Sequence, residues 1–175
     1  MENLEFLKLI GSRRSCRAYL NKPVDKKDLQ AILEAGMAAP SAMGAQDAFI
    51  VAVTKPELTA KLRRMNAQVM GTDTDPYYGA PVIVLVFASR TNKNGVQDGS
   101  CILENMMLAA HALGLGSCWI NRENEMFDTE EGRELMRGMG LPEGLAGVGA
   151  IALGYAAKEP SPRKPRKEGY SRIIE

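Results

Sequence analysis

The stretch PVIVLVFA, residues 81–88, decides the fold, because it is apolar throughout and rich in β-branched side chains. Such a run predicts a strand whose two faces are both buried, as at the centre of a sheet that is covered on each side. Apolar runs at 48–53 and 146–153 predict two further strands, and 118–120 predicts a short fourth one. We therefore expect the chain to be organised around a sheet with 81–88 at its centre.

Helices are predicted in the segments outside these strands, where apolar residues recur at helical spacing. Asp98 to Leu113 is the longest candidate, and Gly114 ends it. Asp25 is the predicted N-cap of a helix that follows Pro23. The predicted helices cover 4–10, 25–36, 56–65, 98–113 and 127–139. This order of elements predicts an α+β fold with three α-β-α layers, in which helices flank a mixed sheet.

Two segments lack a regular pattern. Residues 71–79 are polar and turn-rich, and we expect them to form a mobile loop. Residues 157–175 are rich in proline and cations, which is typical of an extended arm. Ile173 and Ile174 near its end need another surface to pack on, and a partner subunit could supply one by strand addition. We therefore expect one domain, 1–175, whose arm packs on a partner subunit.

Composition excludes several classes of protein. A net charge of +1 over 175 residues gives no global attraction to nucleic acid or membranes. No apolar run approaches the roughly 18 residues that cross a bilayer, and the polar N-terminus lacks the pattern of a signal peptide. The three cysteines are widely spaced and fit neither a disulfide framework nor a metal knuckle, and His111 is the only histidine. We therefore expect a cytoplasmic protein without a metal ion, a nucleic-acid partner or a membrane partner.

Two clusters of cations stand out, one early in the chain and one in the arm. RRSCR at 13–17 places three guanidinium groups and a hydroxyl within five residues, and paired guanidinium donors match the oxygens of a phosphate monoester. Lys164 and Arg166 are alternate residues of an extended segment, so their side chains can reach the same anion. Each cluster by itself is more often a solvated basic surface, and spacing alone leaves both interpretations open.

Three other segments give weaker signals. AAPSA at 38–42 is small and turn-forming, so a flat ring could approach its backbone closely, although such a turn more often simply ends a helix. LGLGS at 113–117 resembles part of a dinucleotide-binding fingerprint, but a helix precedes it where that motif needs a strand, and we exclude a Rossmann fold. Cys16 lies among the arginines, which could lower its thiol pKa, but a packing role is favoured because no histidine partner is evident.

These pieces, taken in order, resemble the nitroreductase family of FMN-dependent oxidoreductases. The matching strings span nearly the whole chain: RRSCRAY at 13–19, AAPSAMGAQ at 38–46, YGAPVIVLVFAS at 78–89, LAAHALGLGSCWI at 108–120 and KPR at 164–166. The family often reads P-S-x-x-N-x-Q-P-W, whereas this chain has Gly44 in place of the asparagine and Asp47-Ala48 in place of Pro-Trp. These departures bear on substrate choice more than on flavin binding.

The resemblance implies which residues hold FMN. Arg13 and Ser15 would serve the phosphate and ribityl chain, and Arg17 would lie at the pyrimidine edge of the flavin. In the family, the segment matched by 40–42 packs on the isoalloxazine from the other subunit, the loop matched by 119–122 brings a backbone N–H to N5, and the arm closes on the phosphate. The full implied set is Arg13, Arg14, Ser15, Arg17, Pro40, Ser41, Ala42, Gly44, Trp119, Ile120, Asn121, Arg122, Lys164 and Arg166.

The resemblance also implies an assembly and an activity. It implies a homodimer with flavin sites at its interface, with FMN as cofactor and NAD(P)H as co-substrate for the ping-pong reduction of nitroaromatic, quinone or similar electron-poor acceptors. No side chain need act as a catalytic base, because the flavin carries the hydride, and Arg17 would stabilise the negative charge of the reduced ring. Family-related flavin destruction or dehalogenation, and a non-catalytic flavin-binding or sensor protein, are the alternatives.

Overall fold

The computed structural model describes residues 3–175, and the first two residues of the polar N-terminus lie outside this range. The helices and strands, in chain order, are α1 (Asn3–Ser12), α2 (Lys26–Met37), β1 (Ala48–Val53), α3 (Pro56–Met70), β2 (Val82–Ser89), α4 (Gly95–Ala112), β3 (Gly116–Ile120), α5 (Glu123–Phe127), α6 (Glu130–Gly138) and β4 (Leu145–Gly154). A short 3-10 turn, Ala42–Gly44, lies between α2 and β1. All four predicted strands are present, and β1 has the predicted bounds.

The four strands form one sheet in the order β1-β2-β4-β3, with β2 and β4 at its centre. The three ladders are all antiparallel, so the sheet is less mixed than the sequence predicted. Within residues 3–175, parallel pairing is recorded only at the isolated bridge between Ser15 and Ser117. The difference arises because a helix between two strands does not fix their relative direction, which is set only when the strands pair.

Strand β2 separates two apolar cores, because its successive side chains point to opposite faces of the sheet. The odd-numbered side chains from Ile83 to Phe87 pack with residues of α3, α5 and α6. The even-numbered side chains from Val82 to Val86 pack with residues of α2 and α4. Each apolar side chain of this size contributes about 2 kcal/mol on full burial, so this double-sided strand holds the three predicted layers together.

Helix boundaries follow local capping more closely than apolar spacing. The Asp25 carboxylate accepts the N–H of Lys27 at 2.7 Å, which confirms it as the N-cap of α2. The helix predicted over 127–139 was wrong in its start, because the chain forms two helices there. Thr129 interrupts them: its hydroxyl oxygen accepts the N–H of Gly132 and begins α6. A capping hydroxyl competes with the helical backbone for the same N–H groups, and the spacing of apolar residues contains no information about this competition.

The arm, 157–175, contains no helix or strand and its side chains are exposed in the single chain. It leaves the sheet after an isolated bridge between Tyr19 and Ala156. The extended form agrees with the prediction, and its packing on a partner subunit stays a prediction. Within residues 3–175, no helix combines the length and apolarity that crossing a membrane requires.

Candidate functional site

The arginine-rich segment, 13–17, is fixed against the edge strand of the sheet. Ser15 forms a parallel bridge with Ser117 of β3, and the N–H of Cys16 donates to the Ser117 carbonyl at 2.8 Å. Further along, the Tyr19 hydroxyl donates to the carbonyl of Ala152 in β4 at 2.9 Å. These bonds anchor the backbone of the segment, so its arginine side chains project from a defined position beside β3.

The segment and the arm line one cavity, which we call the basic cavity. Its volume is about 450 Å³. The lining residues are Ile10, Arg13, Arg14, Ser15, Arg17, Glu104, Ser161, Pro162, Arg163, Lys164 and Arg166. The two cationic clusters predicted from sequence therefore face the same space within one chain, together with Arg163, which precedes Lys164 in the arm.

The basic cavity has an excess of positive charge that its own residues do not neutralise. Nη1 of Arg13 is buried and has no hydrogen-bond partner among the described residues, which is unfavourable for a charged donor. Partial desolvation, followed by repulsion from Arg166, Arg14 and Arg13, lowers the pKa of Arg163. Glu104 is the single acid among the lining residues. An anion placed in this cavity would satisfy the Arg13 donor and relieve the repulsion, so the cavity fits a phosphate group.

Arg14 lines the basic cavity but is largely committed elsewhere. Its Nη1 donates to the carbonyls of Gly11, Ser12 and Arg13 at 3.3, 2.9 and 2.8 Å. These contacts satisfy carbonyls at the C-terminal end of α1, which the helix itself leaves unpaired. Nη1 of Arg14 is therefore bonded within its own chain, whereas Nη1 of Arg13 has no partner among the described residues.

Ser12 links the start of this segment to α4. Its hydroxyl lies 2.7 Å from Nε2 of His111, in the last turn of that helix. Partial burial, followed by the charges of Arg13 and Arg14, lowers the pKa of His111, so the ring is neutral at neutral pH. The histidine positions the segment and has no contact that would make it a base.

The predicted loop at 119–122 follows β3 directly. Trp119 is partly exposed, whereas Ile120 is buried, so the latter can offer only its main chain to a ligand. Arg122 has a left-handed backbone with φ of 84°, which non-glycine residues rarely adopt. Such strain persists only where surrounding contacts hold it.

Asn66 of α3 supplies those contacts from beneath the loop. Its Nδ2 donates to the carbonyl of Asn121 at 3.1 Å, and its Oδ1 accepts Nε of Arg122 at 2.9 Å. Nδ2 also lies 3.1 Å from the Tyr77 hydroxyl oxygen and 3.4 Å from Oε1 of Glu123. Sequence reasoning missed Asn66, whose only signal is a polar residue in an apolar helix face between Met65 and Ala67.

Glu123 is a buried carboxyl directly behind the same loop. The Tyr77 hydroxyl donates to its Oε1 at 2.9 Å, and its Oε2 has no partner among the described residues. Burial raises the pKa of Glu123 to about 7, although the Tyr77 hydroxyl and the charge of Arg122 oppose this shift. Nothing in the sequence singled out Tyr77 or Glu123, because each is ordinary in its local context.

The predicted segment at 40–44 lies apart from the basic cavity in the single chain. Pro40 and Ser41 line a separate cavity of about 240 Å³ together with Asp98. The Ala42 N–H donates to Oδ1 of Asp98 at 3.0 Å, and Gly44 has a positive φ of 66°. One chain therefore does not unite all four predicted segments, and the contribution of 40–44 to a partner's site stays a prediction.

The remaining candidates have packing roles. The Cys16 thiol is buried and donates to the Ala18 carbonyl at 3.2 Å. Burial raises the pKa of the Cys118 thiol, while the nearby Arg17 and Ser15 partly oppose the shift. Within residues 3–175, His, Cys, Asp and Glu side chains form no group of three that could hold a metal ion.

Comparison with known sequences identifies relatives of the chain. A family model described as "Nitroreductase family" matches residues 10–155. A protein of Archaeoglobus fulgidus, whose name includes NAD(P)H nitroreductase, is 31% identical over 159 residues, which cover 89% of this chain and 87% of that protein.

Comparison with solved structures gives the same result. A nitroreductase with bound FMN from Bacteroides fragilis superposes with a TM-score of 0.91 and 35% identity, covering 98% of this chain and 99% of that one. A nitroreductase with bound FMN from Desulfitobacterium hafniense gives a TM-score of 0.87 and 28% identity, covering 99% and 100%. The α+β, three-layer prediction is thereby confirmed.

Proposed function

The chain belongs to the nitroreductase family, and from this premise we propose that it is an FMN-dependent oxidoreductase. In this proposal it uses NAD(P)H to reduce nitroaromatic, quinone or similar electron-poor acceptors. The observation that carries the proposal is the basic cavity, in which Arg13 keeps a buried donor without a partner. That donor and the surrounding cations fit the terminal phosphate of FMN.

We assign the residues of the basic cavity to separate parts of the cofactor. Arg13, Ser15, Lys164 and Arg166 bind the phosphate and the adjoining ribityl chain. Arg17, which is exposed beside β3, provides a fixed positive charge at the pyrimidine edge, where it stabilises negative charge. When bound, FMN supplies the hydride-transfer chemistry itself, so the protein contributes binding, orientation and electrostatics.

The loop at 119–122 would hold the flavin ring when it is bound, and we assign the segment at 40–44 of a partner subunit to the same ring. NAD(P)H and the acceptor would occupy the same open face in turn, which would give a ping-pong order. No side chain serves as a general base in this scheme. Gly44 and Asp47-Ala48, where the chain departs from the family's pattern, are candidates for acceptor choice.

A homodimer is part of the proposal, because α1 presents apolar side chains that its own chain leaves uncovered. Leu4, Phe6, Leu7 and Ile10 are between 41% and 67% exposed, and Ile173 and Ile174 of the arm are more exposed still. Contiguous apolar surface of this kind marks an interaction site. A second copy would cover α1, receive the arm and bring 40–44 to the cavity.

A reducing, cytoplasmic location is also proposed. Cys16, Cys101 and Cys118 are all free thiols. Free cysteines in this number suit a compartment that keeps thiols reduced.

Purification with added FMN, followed by NADPH, tests the function. We expect a yellow protein that sediments as a dimer, whose flavin absorbance is bleached by NADPH and restored by nitrofurazone. A chain that neither retains nor binds FMN overturns the proposal. Bound flavin that both NADH and NADPH fail to reduce indicates a flavin-binding sensor. Flavin loss under oxygen, or turnover only with an aryl halide, indicates flavin destruction or dehalogenation.

A further inference from the structure

Three buried polar side chains, Asn66, Tyr77 and Glu123, form a cluster that we call the buried network. Each has 0% exposure, and none lines the basic cavity. Burying polar groups is unfavourable unless they pair, and a paired set specifies one arrangement of the surrounding chain. The network lies between the core and the loop at 119–122, so the arrangement it specifies is that of the loop.

Asn66 transmits the arrangement, because both ends of its amide contact the loop. Nδ2 donates to the Asn121 carbonyl, and Oδ1 accepts Nε of Arg122. Glu123 and Tyr77 set the orientation of the Asn66 amide, because each places an oxygen atom where only the Nδ2 end can donate to it. A reversed amide would place its oxygen against the oxygens of Glu123 and Asn121, which is repulsive.

Glu123 is held tightly against the sheet while it makes these contacts. A Cβ on Gly147 of β4 would lie 2.5 Å from the carbonyl carbon and oxygen of Glu123, so the two backbones are in close contact. The carboxyl therefore cannot withdraw from the network by a shift of its own backbone. This close packing keeps the Glu123 carboxyl within reach of Asn66 and Tyr77.

We infer that Glu123 is a positioning residue that sets the Asn121–Arg122 peptide through Asn66. This inference rests on the proposed function, because that peptide belongs to the loop that we place beneath the flavin. A positioning role of this kind affects how the loop receives its ligand, and Glu123 itself touches neither the cofactor nor the substrate.

The proton on Glu123 makes the role dependent on pH. Tyr77, Arg122 and Glu125 are the titratable or charged groups that act on it, and Gly147 of β4 packs against its backbone. The neutral carboxylic acid costs less to bury than the carboxylate does. The carboxylate, in contrast, attracts Arg122 and the two groups that donate to Oε1, Asn66 and Tyr77. Because burial raises the pKa of Glu123 to about 7, the change between these states falls near neutral pH.

Glu123→Gln tests the inference, since glutamine has the same shape but no proton to lose. Glu125→Gln is the matched control, because this neighbour on α5 is an exposed carboxylate. FMN dissociation constants, measured by flavin fluorescence from about pH 5.5 to about pH 8.5, should change by about fivefold in the wild type. A phosphate monoester also ionises at about pH 6, so the profiles of the three proteins are compared with one another. Glu123→Gln should reduce the pH dependence, and Glu125→Gln should retain it with a midpoint at slightly lower pH, because Glu125 raises the pKa of Glu123.

Thermal unfolding of the flavin-free protein over the same pH range provides a second readout. Glu123→Gln should remove a pH-dependent change in Tm that the wild type and Glu125→Gln share. If Glu123→Gln fails to fold, Tyr77→Phe replaces it. Loss of the Tyr77 hydroxyl removes a bond that lowers the pKa of Glu123, so both pH profiles should move to higher pH.

Two results would separate the inference from the function it rests on. A wild-type profile that persists in Glu123→Gln, or a uniform loss of affinity at every pH, overturns the positioning role and leaves FMN binding intact. A wild type that binds no FMN at any pH overturns the proposed function. In that case the unfolding measurement still shows whether Glu123 titrates within the buried network.

Discussion

The basic cavity and the buried network lie at opposite ends of β3 and are built on opposite principles. At the start of the strand, Ser117 pairs with Ser15, and side chains that are mostly cationic line a shared space. Beyond its end, the loop rests on Asn66, whose polar neighbours are buried and bonded to one another. The first region is a charged site that a ligand completes. The second is held together by bonds within the chain and contacts no ligand.

This difference determines how each region should respond to perturbation. Exposed charges are screened by salt and adjust to their partners, so changes in the cavity should alter binding with little effect on stability. Buried polar groups have no solvent to replace a lost partner, so changes in the network should alter stability first. The four predictions below test this separation, from the largest expected effect to the smallest.

Gly147→Ala should be the most damaging change, because it forces α5 away from β4 at the buried network. The added Cβ would lie 2.5 Å from backbone atoms of Glu123, which a side-chain rotation cannot relieve. We expect a loss of at least about 3 kcal/mol in the free energy of unfolding, measured by denaturant titration. Gly138→Ala in α6 is the control, since nothing lies within 4 Å of the new Cβ. Equal stability of the two variants would contradict close packing at Glu123.

Stability should fall as pH rises through the titration of Glu123. Its pKa is raised from 4.5 to about 7 in the folded chain, so the folded state binds more protons than the unfolded state between these values. The stability that proton binding by Glu123 contributes is therefore fully present below about pH 4.5 and is lost as pH rises to about 7. Between about pH 5 and about pH 8 the free energy of unfolding should decrease by about 2 kcal/mol on this account. Denaturant titrations should show a smaller decrease in the free energy of unfolding for Glu123→Gln than for the wild type. A larger decrease would contradict a raised pKa of Glu123 in the folded chain.

Arg13→Ala should weaken FMN binding by about tenfold, or about 1.4 kcal/mol, with little change in stability. The reason is that Arg13 supplies the buried donor that has no protein partner. Lys158→Ala is the control, because Lys158 is an exposed cation of the arm that does not line the basic cavity. Fluorescence titration at low and high salt should show a smaller salt dependence for Arg13→Ala than for Lys158→Ala. The same affinity in both variants would remove Arg13 from the phosphate site.

His111→Ala should cost less than about 1 kcal/mol, since it removes one partly exposed hydrogen bond to Ser12. The pKa of His111 is lowered in the folded chain, so its contribution to stability is present above the unfolded value of about 6.5 and is lost as pH falls. Thermal unfolding should therefore separate the variant from the wild type at pH 8 more than at pH 5. Ser12→Ala should lose somewhat more, because the Ser12 hydroxyl also donates to the Leu9 carbonyl at 3.0 Å, and a double variant should lose no more than Ser12→Ala alone.

The sequence predicted the strands closely because each is a continuous apolar run. Strand 48–53 has the predicted bounds, and 81–88 differs from Val82–Ser89 by one residue at each end. The helix predicted at 127–139 failed at Thr129, where a side-chain bond overrides the apolar spacing. Among residues 3–175, the predicted mixed sheet has only antiparallel ladders. Strand direction depends on pairing between distant segments, and no local sequence pattern reports it.

The candidate site divides in the same way. Both cationic clusters could be predicted from sequence, because the charges of each lie within a few consecutive residues. The structure places both clusters around one cavity. Arg14 lines the cavity as well, its Nη1 bonds to carbonyls at the end of α1, and its contact with a ligand stays a prediction. The buried network was not visible at all, because its three members come from α3, the loop before β2 and the start of α5.

By itself, the sequence determined the layered architecture, the family and the presence of two anion-seeking clusters. These properties depend on which side chains are near one another along the chain, through apolar runs, caps and local charge density. Only the tertiary structure decided that Arg13 keeps a free donor and that Glu123 is buried beside Tyr77 and Asn66. Burial and partnership depend on contacts between distant segments, and those contacts set the protonation and the backbone strain of the site.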